Sequence, residues 1–444
     1  MNGRGQAAEE AHPQVRKAVA AAAVGNCTEW FDFGIYAYVA VMVGAAFFPS
    51  GDRAVELMAA FGVFAVAFLL RPIGGFVFGP LGDRWGRQRV LVLTILLMSG
   101  ATFLMGVLPT YHQVGIAAPI LFLLLRMTQG FAAGGEYGGA ATYIAESAPT
   151  KRRGFYGSFL ELGTLAGFAL GAGIPTLLIL VLSDADMFAW GWRIPFLIAG
   201  PLGAVGLYLR SRLEDTPAFS AMSKEKKRST APFAEIWRYH WRRLLILIGV
   251  VLILNIGNYT LLTYMETYLA EVLHVTKPVA LFSVLLAILL MACLVVPVGS
   301  LSDRIGRRPL MMSACVCYLV LPLPAFWLII QGTWLSATAG LIMLAVSQVQ
   351  MLGVLAATLP ALFPTQVRYG GFSIGYNIST SLFGGTAPLV IQALVTWSGS
   401  DLAPAFYLMA AAAISFIPIL LIPETAGKPL ITESAPGKIV QPTA

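Results

Sequence analysis

Apolar residues occur along this chain in long stretches that are separated by short polar loops. A helix needs about 20 apolar residues to cross a hydrocarbon core about 30 Å thick, and twelve stretches reach that length. Because backbone polar groups in lipid must find partners within their own segment, each stretch is predicted to be a helix. The predicted spans, numbered 1 to 12, cover residues 18–47, 57–81, 90–110, 115–146, 154–182, 190–210, 244–272, 278–301, 309–331, 334–362, 371–397 and 402–423. The pattern therefore predicts an all-α membrane protein.

One charged loop motif occurs twice. Residues 79–89 read GPLGDRWGRQR and residues 299–309 read GSLSDRIGRRP, so that Asp83 corresponds to Asp303 and Arg87 to Arg307. Each copy lies between two predicted spans, the first after span 2 and the second after span 8. Such a repeat indicates two six-helix bundles related by a pseudo-two-fold axis. This architecture is typical of secondary transporters, which bind their substrate between the two halves.

Polar breaks in the sequence divide the chain around these two bundles. The longest break covers residues 211–243 and is predicted to be a cytoplasmic central loop. It separates an N-terminal bundle of residues 18–210 from a C-terminal bundle of residues 244–423. Residues 1–17 form a polar cytoplasmic segment. Residues 424–444 contain three prolines and no heptad pattern, so they are predicted to be a disordered cytoplasmic tail.

The distribution of basic residues predicts the orientation in the membrane. The chain is 57% hydrophobic and only 11% charged, whereas soluble proteins carry about 25% charged residues. Of the 29 lysines and arginines, only Arg53 and Lys277 fall in loops on one side, and Arg71, Arg126 and Arg193 fall within or at the edge of spans. The rest lie on the other side, which places both termini in the cytoplasm of a multi-pass inner (plasma) membrane protein. The net charge of +7 reflects this topology, and no nucleic-acid partner is expected.

Ionisable residues within the predicted spans are the candidates for energy coupling. A charge at a helix centre costs roughly 2.5–3.5 kcal/mol, so such residues usually pair or line a wet cavity. Asp32 in span 1 and Arg126 in span 4 lie at similar depths near the midplane, which predicts an ion pair between them. A carboxylate whose arginine can be withdrawn will bind and release a proton, whereas a static pair would only fix helix packing. The predicted proton-coupling residues are Asp32, Arg126, Glu136 and Glu29.

Polar and aromatic residues of spans 1, 4, 7 and 11 are the candidates for substrate binding. Aromatic faces attract cations by about 0.5–2 kcal/mol each, and arginine or amide donors hold a carboxylate. Together these groups suit a small zwitterion. For each residue taken singly, a hydrogen bond between helices is the alternative. The predicted substrate-binding residues are Tyr36, Trp30, Gln129, Tyr137, Asn255, Asn258, Tyr259, Tyr264 and Asn377.

Charged residues in the cytoplasmic loops are predicted to form a gate. Clusters that bridge helix ends on the inside would hold that face shut and break when it opens. A purely topological role of the same charges is the alternative, and the two are compatible. The predicted gate residues are Asp83, Arg84, Arg87, Glu146, Arg152, Asp303, Arg304 and Arg307.

The sequence offers little sign of cofactor chemistry. All four cysteines (Cys27, Cys293, Cys315 and Cys317) lie in apolar spans without a CxxC spacing or a nearby histidine, which is typical of buried core thiols. No nucleophile–base set, metal cluster or phosphate loop occurs, so we do not expect an enzyme. The expected partners are a small-molecule substrate, protons as the coupling ion and the lipid bilayer, with no metal or other cofactor, and a monomer is expected.

Several further motifs carry a family resemblance that covers most of the chain. Residues 25–34 read GNCTEWFDFG, residues 130–139 read GFAAGGEYGG, and residues 190–196 read WGWRIPF. With the repeated loop, these segments resemble the major facilitator superfamily and, more narrowly, the osmoprotectant branch of the metabolite:proton symporter family. The resemblance implies proton-driven import of zwitterionic compatible solutes such as proline and glycine betaine. Symport of organic acids (di- or tricarboxylates, or shikimate-like anions) is the alternative, and a proton-coupled drug exporter is less favoured.

Overall fold

The computed structural model describes residues 3–85, 87–211, 232–365 and 367–431. These residues form helices joined by short turns, and no strand occurs among them. Eight helices are long and apolar enough to cross a membrane, and two pairs of helices bent by 66° and 48° pass the same test as pairs. Two shorter apolar helices, Val92–Val107 and Arg193–Tyr208, complete the twelve predicted spans.

The observed helices follow the predicted order. Span 1 is Gly3–Phe47, span 2 is Arg53–Leu69 with Arg71–Trp85, span 3 is Arg87–Val107, span 4 is Ala117–Ala133 with Glu136–Ser147, span 5 is Arg153–Val181 and span 6 is Arg193–Ser211. Span 7 is Trp241–Val272, span 8 is Lys277–Ile305, span 9 is Arg307–Val320 with Pro322–Ile330, span 10 is Trp334–Thr358, span 11 is Arg368–Ser398 and span 12 is Ala403–Leu421. Short helical pieces at Tyr111–Val114, Asp184–Asp186, Met187–Gly191 and Pro232–Tyr239 lie in the connections.

Two predicted boundaries need correction, whereas the start of span 1 agrees with its prediction. The apolar part of span 1 begins at Val19, next to the predicted residue 18, and its helix extends back to Gly3. The predicted loop 211–243 contains the helix Pro232–Tyr239, and span 7 begins at Trp241. Residues 424–431 make hydrogen bonds to both halves, so the predicted disorder does not apply to them. Residues 432–444 lie outside the described part of the chain.

Spans 7 and 11 are interrupted by wider turns. Span 7 contains π-helical turns at Thr260–Tyr264 and Tyr268–Val272, and span 11 contains one at Thr380–Gly384. Such turns inside α-helices are frequent at functional sites, since they alter which side chains face the neighbouring helices. Both interrupted spans face the N-terminal half across the interface.

Glycines allow a sharp turn between spans 8 and 9 and a close approach of spans 5 and 8. Gly306 in the second loop copy has φ of 103°, a conformation that L side chains rarely adopt, and it turns the chain from span 8 into span 9. Spans 5 and 8, which belong to different halves, cross at Gly154 and Gly299, where a Cβ on either residue would contact the other helix's backbone. Small residues at this crossing let the two halves pack closely.

Candidate functional site

The two halves contact each other at both ends of the bundle. At the end that the distribution of basic residues predicts to be outside, termed here the outer face, Arg53 donates two hydrogen bonds to Glu271, with N···O distances of 2.7 and 2.9 Å. At the inner face, which carries the repeated loops, Arg368 donates to Glu146 over 2.7 Å. The groups between these contacts are thus enclosed, and they include most of the predicted coupling and substrate residues.

The buried ion pair near the bundle centre joins Glu29 to Arg71. Arg71 Nη2 lies 2.8 Å from Glu29 Oε1, and the two side chains are 1% and 0% exposed. The guanidinium also lies 4.6 Å from the ring centroids of Phe33 and Phe68 and 5.4 Å from that of Trp30. Arg71 begins the second helical part of span 2, directly after the interruption at Leu70.

The predicted ion pair between Asp32 and Arg126 is not formed, so that prediction was wrong. Asp32 is fully buried, and neither carboxylate oxygen has a hydrogen-bond partner among the described residues. Arg126, Glu136 and Thr102 are its polar neighbours, but the Thr102 hydroxyl donates to a backbone carbonyl instead. Equal depth along two helices does not determine the direction in which each side chain points, which is why the sequence did not exclude the pair.

Arg126 is held by neutral groups. Its Nη1 donates to Gln129 Oε1, and its guanidinium lies 4.0 Å from the ring centroid of Tyr36. Gln129 in turn donates to Thr102 over 2.9 Å. The Nε and Nη2 groups of Arg126 have no partner within the described ranges. The arginine therefore retains donors for an additional acceptor.

A second buried acid, Glu161 of span 5, contacts the predicted substrate residue Tyr137. The Tyr137 hydroxyl donates to Glu161, and the Tyr137 ring stacks on Tyr376 of span 11 at 4.4 Å and 14°. Glu136, the preceding residue, is also buried. Tyr376 was not among the predicted substrate residues, although it shares a stripe with Asn377 and Ser373 in the sequence.

Four predicted substrate residues are fixed by hydrogen bonds between helices or within a span. Asn255 donates to Thr380 over 3.2 Å, and Tyr264 donates to Gln392 over 2.9 Å. The remaining two are Asn258, which accepts from Gln348 Nε2 at 3.3 Å, and Trp30, whose indole N–H donates to Asn26 at 3.1 Å. These contacts favour the packing alternative for the amides of span 7.

Three others contact the opposite half or a neighbouring span. Asn377 donates to the carbonyl of Gly134 over 2.8 Å and thus joins spans 11 and 4. Tyr36 donates to the carbonyl of Ala60 over 2.6 Å, within the N-terminal half. Tyr259 is fully buried against Phe68 of span 2, with ring centroids 5.2 Å apart. Its hydroxyl has no partner in the part of the chain that the structure describes.

The inner face is closed by carboxylates at helix starts. Asp303, in the last turn of span 8, accepts hydrogen bonds from the backbone N–H groups of Gly154 at 2.8 Å and Phe155 at 2.9 Å. These are first-turn donors of span 5, where an anion is favoured by the helix dipole. Arg307 is buried and lies 3.5 Å from Asp303.

The other predicted gate residues have varied positions. Glu146 forms an ion pair with Arg368 of the other half, and Arg152 is exposed. Arg304 is exposed as well. The side chains of Asp83, Arg84 and Arg87 lie outside the described part of the structure.

Residues 424–431, termed here the C-terminal strap, cross the inner face. Glu424 accepts from the backbone N–H groups of Arg307 at 3.1 Å and Arg308 at 3.0 Å. Further along, Arg153 of span 5 donates to the carbonyl of Lys428 over 3.2 Å. Burial alone would raise the pKa of the Glu424 carboxyl, but the backbone N–H groups that donate to it lower that pKa below its ordinary value. The strap thus contacts both halves.

Residues 23–382 match the family model described as Major Facilitator Superfamily. The chain belongs to this superfamily. Its fold is also similar to those of solved structures of that superfamily. Because the sequence identities are only 16–17%, these structures inform on the fold and not on the function. One is the proton:xylose symporter XylE bound to 6-bromo-6-deoxy-D-glucose, with a TM-score of 0.74, 16% identity and coverage of 94% of this chain and 98% of that one. Another is the partially occluded inward-open xylose transporter XylE from E. coli, with a TM-score of 0.73, 17% identity and coverage of 94% and 100%. The prediction of twelve helices in two six-helix halves is confirmed.

Curated relatives of this major facilitator protein are named as transporters. The chain is 45% identical over 427 residues to the proline/betaine transporter of Escherichia coli (strain K12), covering 94% of this chain and 85% of the relative. It is equally similar to the glycine betaine/proline/ectoine/pipecolic acid transporter OusA of Dickeya dadantii (strain 3937), with the same coverage. It is 42% identical over 433 residues to the ectoine/proline transporter ProP of Corynebacterium glutamicum, covering 94% and 86%.

Sequence reasoning missed three arginines of this major facilitator protein. Arg153 and Arg368 were counted as loop charges that set topology, yet both are buried at the inner face. Arg71 was noted as a charge in a span but was given no partner. A signal was present for Arg71, since an arginine within a span needs an acceptor and Glu29 is the acid of span 1 nearest the inner end.

Proposed function

We propose that this chain is a proton-coupled symporter that imports small zwitterionic compatible solutes of the proline and glycine betaine kind. The names of relatives at 40–45% identity support this substrate class. The proposed transporter acts as a monomer in a bacterial inner membrane, with both termini in the cytoplasm, and uses a proton as its coupling ion without another cofactor. The asymmetric distribution of lysine and arginine supports that orientation.

The observation that carries proton coupling is the burial of Asp32 without a hydrogen-bond partner in the described structure. An unpaired carboxylate in an apolar interior is strongly destabilised, and protonation removes that penalty. In the closed state Asp32 therefore carries the proton. When the halves rearrange, the carboxylate can lose its proton by gaining Arg126, which keeps unpaired donors close by.

Each proton that enters brings electrical work to the cycle. A potential of 100 mV supplies about 2.3 kcal/mol per elementary charge, in addition to any pH gradient. The solute is held by the aromatic groups at the interface of spans 1, 4, 7 and 11. Because span 1 carries Asp32 as well as Trp30 and Tyr36, the proton and the solute are enclosed by the same rearrangement.

An organic-acid symporter is supported less well. A di- or tricarboxylate needs several cationic groups near the midplane, and the sequence offers Arg71 and Arg126. The ion pair with Glu29 neutralises Arg71, which leaves Arg126 as the unpaired cation of this region in the described structure.

Uptake by proteoliposomes tests the proposal. Labelled proline and glycine betaine are offered under an imposed inward proton gradient to wild type, to Asp32→Asn and to Asp184→Asn, whose carboxylate is exposed in the outer loop. We expect accumulation by wild type and Asp184→Asn, and loss of accumulation with retained solute binding in Asp32→Asn. Accumulation by Asp32→Asn at the wild-type level contradicts its role. Uptake of organic acids but of neither zwitterion contradicts the substrate class.

A further inference from the structure

The Glu29–Arg71 ion pair has no part in the proton cycle proposed above. It lies in an aromatic enclosure formed by the N-terminal half, since the Arg71 guanidinium faces Phe33, Phe68 and Trp30. Three aromatic faces around one cation form the kind of enclosure that binds substituted ammonium groups. In the closed protein a side chain of the protein itself occupies this enclosure.

Two tyrosines of the C-terminal half lie near the same ion pair. Tyr259 and Tyr376 lie close enough to Arg71 and Glu29 to interact electrostatically with both charges. The Tyr259 ring centroid is 6.3 Å from that of Trp30. The ion pair is therefore at the interface of the halves, where transporters of this architecture bind substrate.

A buried ion pair places a strict requirement on any ligand that opens it. Removal of one partner leaves the other charge uncompensated in an apolar environment, which is strongly destabilising. An anion can replace Glu29 beside Arg71 but separates Glu29 from the arginine that neutralises it. A cation leaves Arg71 unpaired. A zwitterion provides a partner for both charges at once.

We propose that a zwitterionic solute binds by opening the Glu29–Arg71 ion pair, with its carboxylate on Arg71 and its ammonium group on Glu29 and the aromatic enclosure. This proposal rests on the proposed function and adds the residues that determine substrate charge. It assigns Arg71, which the sequence left without a role, to carboxylate recognition. It also gives Glu29 a substrate contact in place of the predicted part in proton coupling.

Three isosteres of one shape test the charge requirement. Glycine betaine is the zwitterion, betaine amide is the cation, and 3,3-dimethylbutyrate is the anion. Binding to purified protein in lipid nanodiscs is measured by calorimetry. We expect wild type to bind glycine betaine at least about 100-fold more tightly than either charged isostere, since each of those replaces one member of the ion pair and offers nothing to the other.

Removal of one charge of the ion pair is expected to change the preferred ligand charge. In Arg71→Gln the negative charge of Glu29 is kept and the positive charge of Arg71 is lost, so affinity for betaine amide should rise by at least about tenfold relative to glycine betaine. In Glu29→Gln the same relative gain should appear for 3,3-dimethylbutyrate. Arg53→Gln and Glu271→Gln make the same two substitutions in the outer ion pair, and both should keep the wild-type order.

Retention of the wild-type order by both Arg71→Gln and Glu29→Gln would overturn the inference. A wild-type protein that binds either charged isostere as tightly as glycine betaine would overturn it too, whether or not the variants fold. Arg71→Lys and Glu29→Asp keep both charges and should preserve the order at reduced affinity. If wild type neither binds nor transports glycine betaine or proline, the proposed function itself has failed. If it transports them with a charge preference that the variants do not alter, only this inference has failed.

Discussion

The carboxylate of Asp303 accepts a hydrogen bond from the backbone N–H of Gly154 at 2.8 Å, across the interface between the two halves. The acceptor belongs to the last turn of span 8 and the donor to the first turn of span 5. A carboxylate at the start of a helix stabilises it through unsatisfied N–H groups and the helix dipole. One acidic residue of the repeated motif thus fastens the C-terminal half to the N-terminal half.

Asp303→Asn is expected to loosen the inner face. The amide keeps one acceptor oxygen but loses the charge, which should shift the balance by about 1 kcal/mol, or about fivefold, towards the inward-open state. Labelling of Ser158→Cys, which lies buried against Gly299 between spans 5 and 8, reports the opening in a background without the native cysteines. Arg304→Gln alters the adjacent exposed residue and should leave the labelling rate unchanged. Equal rates for Asp303→Asn and the parent protein would refute a role in closure.

The outer ion pair should contribute less. Arg53 is 50% exposed and Glu271 is 19% exposed, so solvent screens their interaction and its contribution is about 0.2–1 kcal/mol. Arg53→Glu places two like charges at the outer face and should favour the outward-open state, more strongly at low salt than at high salt. The double variant Arg53→Glu/Glu271→Arg should restore the wild-type balance, measured by distances between spin labels on the outer loops. An effect that persists in the double variant would show that ion pairing is not its cause.

Acidification is expected to weaken the attachment of the C-terminal strap. Because the pKa of Glu424 is lowered in the closed protein, its ionised form stabilises that state at pH values above its ordinary pKa. The stabilisation is lost as the pH falls from about 4.3, the ordinary glutamate value, through the lowered one. Thermal unfolding in detergent should therefore show a decline in Tm over this range that is smaller in Glu424→Gln. Identical pH profiles for the two proteins would contradict this assignment.

Two tyrosine hydroxyls should separate solute binding from helix packing. Tyr259→Phe removes a buried hydroxyl that has no partner in the described structure, so the stability of the empty protein should not fall. Its affinity for glycine betaine should fall by about fivefold to tenfold if the solute accepts that hydrogen bond. Tyr264→Phe removes the hydrogen bond to Gln392 and should lower stability by about 1 kcal/mol. Calorimetry and thermal unfolding of both variants provide the comparison. Loss of stability without loss of affinity in Tyr259→Phe would make that residue a packing residue.

The fold was largely predictable because long apolar stretches determine where helices cross a membrane. The contacts within the site were less predictable. The sequence placed Asp32 and Arg126 at one depth, but depth does not specify which side chains point at each other, and the observed ion pair is Glu29–Arg71. Asp303 was predicted as a gate residue, yet its main partners are backbone N–H groups, and these have no signature in the sequence.

The start of the first helix and the ordered C-terminal strap could not be predicted from the sequence either. Polarity marks where the apolar stretch of span 1 ends, but backbone hydrogen bonds continue the helix to Gly3. The predicted tail, residues 424–444, contains three prolines and lacks a heptad pattern, both of which favour disorder, and the strap is its first part. It is held by Glu424 and by carbonyl groups that bind arginines of distant spans, and that arrangement depends on tertiary structure alone.

Measurement of the proton movement that accompanies the solute is the most direct test of proton symport. Glycine betaine is added to lightly buffered proteoliposomes that have no imposed gradient, and the external pH is followed with an indicator dye. We expect wild type to make the external medium more alkaline as the solute enters, and Asp32→Asn to cause no change. Entry of labelled glycine betaine without alkalinisation by wild type would contradict proton symport. Acidification would indicate proton antiport, in which protons leave the vesicle as the solute enters.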